Sequence, residues 1–192
     1  MKSTLDAELV QFEASSNAAG SYSQGKTLRQ DGNAALREGD FSKAQECLAR
    51  AKAQLTEARD KAKPIHEKRM AKENAIALFK KGEWQNGLER AKKADQNDPE
   101  LLFWIGTCYD KGLGNQRAAL AYFILAANRG QLDAQLELGK QYEGRQKFAE
   151  AKKWYQKAAV QGNESAMKGL SRLVAFEEET NRRERETEKL KT

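Results

Sequence analysis

Small and apolar residues recur along the chain in steps of three and four, the spacing that places them on one face of a helix. Phe41, Ala44, Leu48, Ala51, Leu55, Ala58 and Ala62 form the longest series. It predicts a helix of about 22 residues, roughly 33 Å long, over 41–62. Pro64 follows, and its missing N–H and its ring predict a stop there. A second long helix is expected from about Ile65 to Lys81. It either returns antiparallel along the first within one molecule or forms with it a protruding coiled coil that pairs two copies.

The helical pattern itself repeats. Gly32, Gly39, Phe41, Ala44, Leu48 and Ala51 map onto Ala75, Gly82, Trp84, Gly87, Ala91 and Ala94 at a constant offset of 43. Each unit reads as a helical hairpin: a helix, a capping glycine, an aromatic, then a second helix whose small residues allow close approach. Further on, Ile105, Gly106 and Tyr109 recur as Leu138, Gly139 and Tyr142, offset by 33. Tyr122, Phe123, Ala126, Ala127 and Gly130 recur as Trp154, Tyr155, Ala158, Ala159 and Gly162, offset by 32. Leu170 opens one more helix without a partner, which reads as a cap.

An all-α solenoid of stacked hairpins is therefore expected, with units at about 25–63, 65–98, 99–131 and 132–163 and a cap at 164–176. Residues 1–24 are expected to form a short helix, with Thr4 as its cap and Leu5, Leu9 and Phe12 on one face, followed by a flexible connector. That segment either covers the open end of the solenoid or docks as a peptide into a groove of its own or a neighbouring molecule. Residues 177–192 read as a charged, solvent-exposed helix or tail, with Glu178 and Glu179 four residues before Arg182 and Arg183. This stretch is either simply solvated or a partner-binding element.

On Gly32, Gly39, Phe41, Ala44 and Ala51, with Asp98-Pro99 closing the second unit, the first two units resemble tetratricopeptide repeats. The later strings IGTCYDKGLG, AYFILAANRG, LGKQYEG and KWYQKAAVQG are similar to the Sel-one-like variant of that family. The resemblance covers about residues 25–175. Two departures stand out: Gly87 replaces the family's usual alanine, and the first unit is nine residues longer than the usual length of about 34.

The resemblance implies a right-handed α-solenoid in which the first helix of each hairpin lines a concave side. Its groove-facing positions fall on Lys26, Arg29, Asn33, Leu36 and Arg37, then on Arg69, Lys72, Ile76, Phe79 and Lys80. Six of these ten are basic and none is acidic. The third and fourth units add Phe103 and Leu136 among mixed charges. A partner-binding groove of Lys26, Arg29, Asn33, Arg37, Arg69, Lys72, Ile76, Phe79, Lys80, Phe103 and Leu136 is thus expected. Arg29 and Asn33 also match two positions of a carboxylate clamp known in the family. Glu73, Phe103 and Thr107 depart from its other positions, so a full clamp is not expected.

The net charge of +6 is shared evenly between the two halves of the chain, which leaves no basic tail. Cys47 and Cys108 lie inside hairpins without CxxC spacing and read as reduced, buried residues of a cytosolic protein. His66, the one histidine, sits near a helix start in a structural or exposed role. No GxxxxGK[ST] or GxGxxG loop occurs, and KGLGN at 111–115 reads as a turn. No catalytic residue, metal or cofactor is expected, and the chain is not read as an enzyme. No apolar run approaches a membrane span, and Asp6, Glu8 and Glu13 break any signal-like stretch, so a cytoplasmic protein is expected. The expected function is an interaction scaffold or adaptor, monomer or homodimer, that binds an acidic or amphipathic peptide in a basic groove. The alternative is a small bacterial secretion-type chaperone that shields an apolar client segment. Nucleic acid is not the expected partner, because the aromatics mostly occupy packing positions.

Overall fold

A computed structural model describes residues 16–189, most of them helical, with no strand among them. Eight α-helices follow one another among the described residues: α1 Ser16–Glu38, α2 Phe41–Lys80, α3 Trp84–Ala91, α4 Pro99–Thr107, α5 Gln116–Asn128, α6 Leu132–Gly144, α7 Phe148–Val160 and α8 Glu164–Lys189. A π-helical turn, Cys108–Gly112, extends α4. The chain divides into two compact units, Met1–Ala71 and Lys72–Thr192, with the division falling inside α2. No helix among the described residues is long and apolar enough to cross a membrane.

In the first unit, α1 and the first part of α2 form an antiparallel hairpin. Ala18, Tyr22 and Ala35 of α1 and Ala44, Ala51, Leu55, Ala58 and Ala62 of α2 are buried. Their three-and-four spacing makes one seam along each helix. Gly25 lies against Leu55 and Gly32 against Leu48, so closely that a Cβ on either glycine would meet the leucine side chain within 3.0 Å. These contacts fix the register: residue numbers that face each other sum to about 80.

Three expectations change here. Residues 16–24 are the first turns of α1 and not a connector. Packing of Ala18 and Tyr22 on the seam, where Tyr22 clusters with Leu55 and Ala58, outweighs the weak helix propensity of the serines and Gly20. The expected cap Thr4, with Leu5, Leu9 and Phe12, lies outside the described residues. Pro64 does not end a helix, since α2 runs through it to Lys80. Its side chain is exposed, so the ring meets solvent and not a packed neighbour. The carbonyl left without an intrahelical donor belongs to Asp60, itself exposed. The stretches 41–62 and 65–80 are consequently one rod and do not return along each other.

The second unit holds the larger side chains. Within it α4 packs on α5, α5 on α6, α6 on α7 and α7 on α8, and α8 also reaches α6. The α4–α5 and α6–α7 hairpins each set an aromatic of the second helix on a glycine of the first. Phe123 covers Gly106, where an added Cβ would come within 2.8 Å of the ring. Tyr155, 1% exposed, fills the space over both Gly139 and Gly169. The recurrence of Gly106 and Phe123 as Gly139 and Tyr155 thus corresponds to a repeated contact. Side-chain caps set the helix starts: Asp98, Asn115, Gln131 and Asn163 accept from the N–H groups of Leu101, Ala118, Ala134 and Ala166. The turn before α7 departs from the others, because Gln146 takes φ 60° where the turns before α6 and α8 have Gly130 and Gly162.

A polar knot fastens α8. Arg172 donates twice to Glu143, at 2.8 Å each, and the Tyr155 hydroxyl donates to the same carboxylate at 2.7 Å. The Arg172 hydrogen bonds hold the Glu143 carboxyl below its ordinary range, against burial, which acts the other way. Burial first, then the bond to Glu143, pushes the Tyr155 hydroxyl well above its usual value. Beyond Phe176 the helix continues to Lys189 as a charged rod, almost all of it exposed.

Candidate functional site

The eleven residues expected to line a groove fall into two sets, five in the first unit and six in the second. In the second unit the expectation fails for several of them. Ile76 and Phe79 are buried, at 7% and 1% exposure. Phe79 packs against Gly87, where a Cβ would come within 2.5 Å of its ring. They are core residues joining the end of α2 to α3, and no partner can reach Phe79. Lys72 is half-buried and bonded to both Asp98 and Glu100 at 2.8 Å. Burial pulls its pKa down, but the hydrogen bonds to Asp98 and Glu100 prevail and raise it. Its charge is therefore satisfied internally. Phe103 is half-buried and packs its ring on Trp104 and Phe123, at 5.8 and 5.7 Å between centroids. Leu136 is half-buried against the core formed by Ala151, Tyr155 and Leu173. Lys80 is exposed, with its ammonium 5.5 Å from the Trp104 ring.

In the first unit the expected residues stay at the surface. Lys26, Asn33, Arg37 and Arg69 are exposed and Arg29 is half-buried. The Lys26 ammonium lies 5.1 Å from the centre of the buried Tyr22 ring, and Arg69 lies 3.4 Å from Nδ1 of His66. With about 100° of turn per residue, Arg29 sits beside the seam, Lys26 and Asn33 lie on the same flank of α1, and Arg37 lies further round. The acidic residues of α1, Asp31 and Glu38, fall on the other flank.

The same register shows what expectation from the first helix of each hairpin misses. On α2, Lys52, Arg59 and Lys63 occupy the flank that adjoins the Lys26 side of α1. Lys52 and Lys63 are exposed and Arg59 is half-buried. Within about a third of a turn of the seam, this side carries five cations, from both helices, and no carboxylate of the described residues of α1 and α2. Asp60, held by Arg59 at 3.3 Å, lies round the back of α2, and Glu67 follows Lys63 by one turn of the helix. The opposite side is mixed. There Arg50 pairs with Glu46 at 3.6 Å and Lys61 bonds Glu57 and Ser21, beside a shallow valley of about 530 Å³ lined in part by Gln24, Leu28 and Gln54. A signal for the missed residues is present in the sequence: Lys52 and Arg59 are one heptad apart and Lys63 is one turn further on.

The turn end of the hairpin is apolar. Leu36 is 44% and Phe41 71% exposed, and Leu48 is half-buried on the basic side. Cys47 is a free, half-buried thiol, and Cys108 is free and buried, its pKa raised by that burial. Comparison of the chain with protein-family models, with curated proteins and with solved structures gave no match in any of the three.

Proposed function

We propose that the chain is a non-enzymatic interaction scaffold of the tetratricopeptide and Sel-one-like kind, its hairpins read as units of a right-handed solenoid, and that it binds an acidic segment of a protein partner in the cytoplasm. The observation that carries the reading is the cation-rich side of the α1–α2 hairpin, where, among the described residues, Lys26 and Arg29 of α1 lie on the same side as Lys52, Arg59 and Lys63 of α2. A mixed surface keeps a helical protein soluble; a one-signed flank beside an ordinary mixed one attracts an oppositely charged partner. The charges set encounter rate and salt dependence, and the apolar turn around Phe41 adds an anchor.

This reading moves the site from the expected groove to one side of one hairpin. It is tested by capture of partners from a cell extract with the wild type beside a Lys26→Glu, Lys52→Glu variant, at low and high salt. The expected result is a set of proteins retained at low salt only, and lost in the variant. Equal recovery by both proteins overturns the reading. Capture that persists at high salt favours a chaperone that shields apolar segments, since exposed charges more than about 8 Å apart are screened at physiological ionic strength and more strongly above it.

A further inference from the structure

The basic flank has a geometry that selects among acidic partners. Successive cations along α2, Lys52, Arg59 and Lys63, are seven and four residues apart, about 10.5 and 6 Å along the helix axis. Opposite them, the antiparallel register sets Arg29 level with Lys52 and places Lys26 about 4.5 Å further along. The valley between the helices on this basic side, opposite the one lined by Gln24 and Gln54, therefore has cations on both banks, in steps of one and two helical turns. A helix laid along this valley has the same rise per turn, so carboxylates spaced four and seven residues apart stay level with the cations. An extended chain covers 10.5 Å in about three residues, and an odd step turns its side chain to the opposite face.

Resting on the binding function proposed above, we infer that the occupant of this side is an acidic amphipathic α-helix of a partner protein, packed lengthwise as a third helix against α1 and α2. In coiled-coil packing the residues flanking the seam choose the partner by charge, and here the flanking residues of both helices are cationic. The seam is narrow because Gly25 and Gly32 bring the backbones together, which leaves half-buried Leu48 near the valley floor. Towards the turn Leu36 and Phe41 continue the apolar character. From Phe41 to Lys63 the flank is about 33 Å long, the length of a helix of about 22 residues. The matching helix has an apolar stripe bordered by carboxylates on both edges. A second copy of this chain does not fit face to face, because a two-fold contact sets the same cations against each other.

The test uses fluorescent synthetic probes with the full chain. One is a 22-residue peptide, about the length of the flank, with leucine along one helical face and glutamate on both edges. The others are a scrambled peptide of the same composition, a copy with two central prolines, and a single-stranded oligouridine of matched charge. The amphipathic peptide is expected to bind and gain helicity by circular dichroism. Its affinity is expected to fall at least about tenfold in Lys52→Glu, Lys63→Glu and to change less than about twofold in Lys43→Glu, Lys68→Glu, which carries the same net charge on the opposite flank of α2. Equal binding of the scrambled or proline-bearing peptide overturns the helical occupant while leaving an acid-binding flank in place. No binding of any acidic probe overturns the binding function itself. Tighter, variant-sensitive binding of the oligouridine assigns the flank to nucleic acid and overturns both. Should Lys52→Glu, Lys63→Glu lose helicity, Lys52→Gln, Lys63→Gln replaces it, with the same direction expected.

Discussion

The two units of the molecule use different means of holding helices together. In the first, the α1–α2 seam is built from alanine and glycine, and Tyr22 and Leu55 are its large buried side chains. In the second, aromatic rings seat on glycines, and the six largest fully buried side chains of the described residues, Tyr155, Phe79, Phe123, Leu101, Leu138 and Cys108, all lie there. A small-residue seam brings backbones close but removes little apolar surface from water. The first hairpin thus gains less from burial per residue and leaves most of both helices as surface. That surface is where the cationic flank lies, whereas in the second unit the partly buried charges Lys72 and Glu143 are held in pairs with Asp98 and Arg172.

The largest effect that can break this contrast is loss of a ring from the second unit. Tyr155→Ala empties space over two glycines and is expected to cost about 3–5 kcal/mol in urea unfolding; a loss below about 1 kcal/mol removes the ring-on-glycine account. Next, one substitution should have opposite signs at a glycine under a ring and at an open glycine of the first unit. Gly139→Ala forces a methyl into the Tyr155 ring and is expected to cost about 1–3 kcal/mol. Gly20→Ala, in α1 with nothing within 4 Å of the new methyl, is expected to stabilise by about 0.4–1 kcal/mol. The same sign at both sites contradicts the contrast.

A smaller gain is expected from Gln146→Gly. The left-handed conformation at φ 60° strains a residue with a Cβ, and its relief, less the chain entropy of glycine, amounts to about 0.5–1 kcal/mol, readable as a raised melting temperature. Smallest is the Arg172 contribution. The carboxyl of Glu143 is held below the ordinary value of 4.5, so its contribution is fully present above that pH and is lost as pH falls through the lower, folded value. Arg172→Met is expected to cost about 0.2–1 kcal/mol at neutral pH, because the guanidinium is well exposed. It should also flatten the fall of stability on the acid side; an unchanged acid limb contradicts the pairing.

The second unit was the more legible in sequence, for a physical reason. A glycine under a ring constrains two positions at once, so Gly106 with Phe123 and Gly139 with Tyr155 recur at nearly fixed spacing, and the packed hairpins follow from them. The first unit obeys looser rules. Serine and glycine at 16–25 have weak helix propensity, and the seam contacts of Ala18 and Tyr22 favour the helix there. Pro64 predicts a break from local chemistry, yet at an exposed position of a 40-residue helix its cost is outweighed by the packing on either side. Among the groove candidates, Lys26, Asn33, Arg37 and Arg69 are exposed and Arg29 is half-buried. Ile76 and Phe79 were misplaced because they are the apolar residues that the end of α2 offers to α3. Lys52, Arg59 and Lys63 join the site only through the antiparallel register, which the pattern along a single helix does not contain.

The most direct test of the basic side as a binding surface is hydrogen exchange of the full chain, with and without the leucine–glutamate peptide. The account predicts slowed amide exchange across 22–63, in both α1 and α2, and unchanged exchange in α4–α7. Slowing confined to α4–α8, or no slowing anywhere at saturating peptide, contradicts it.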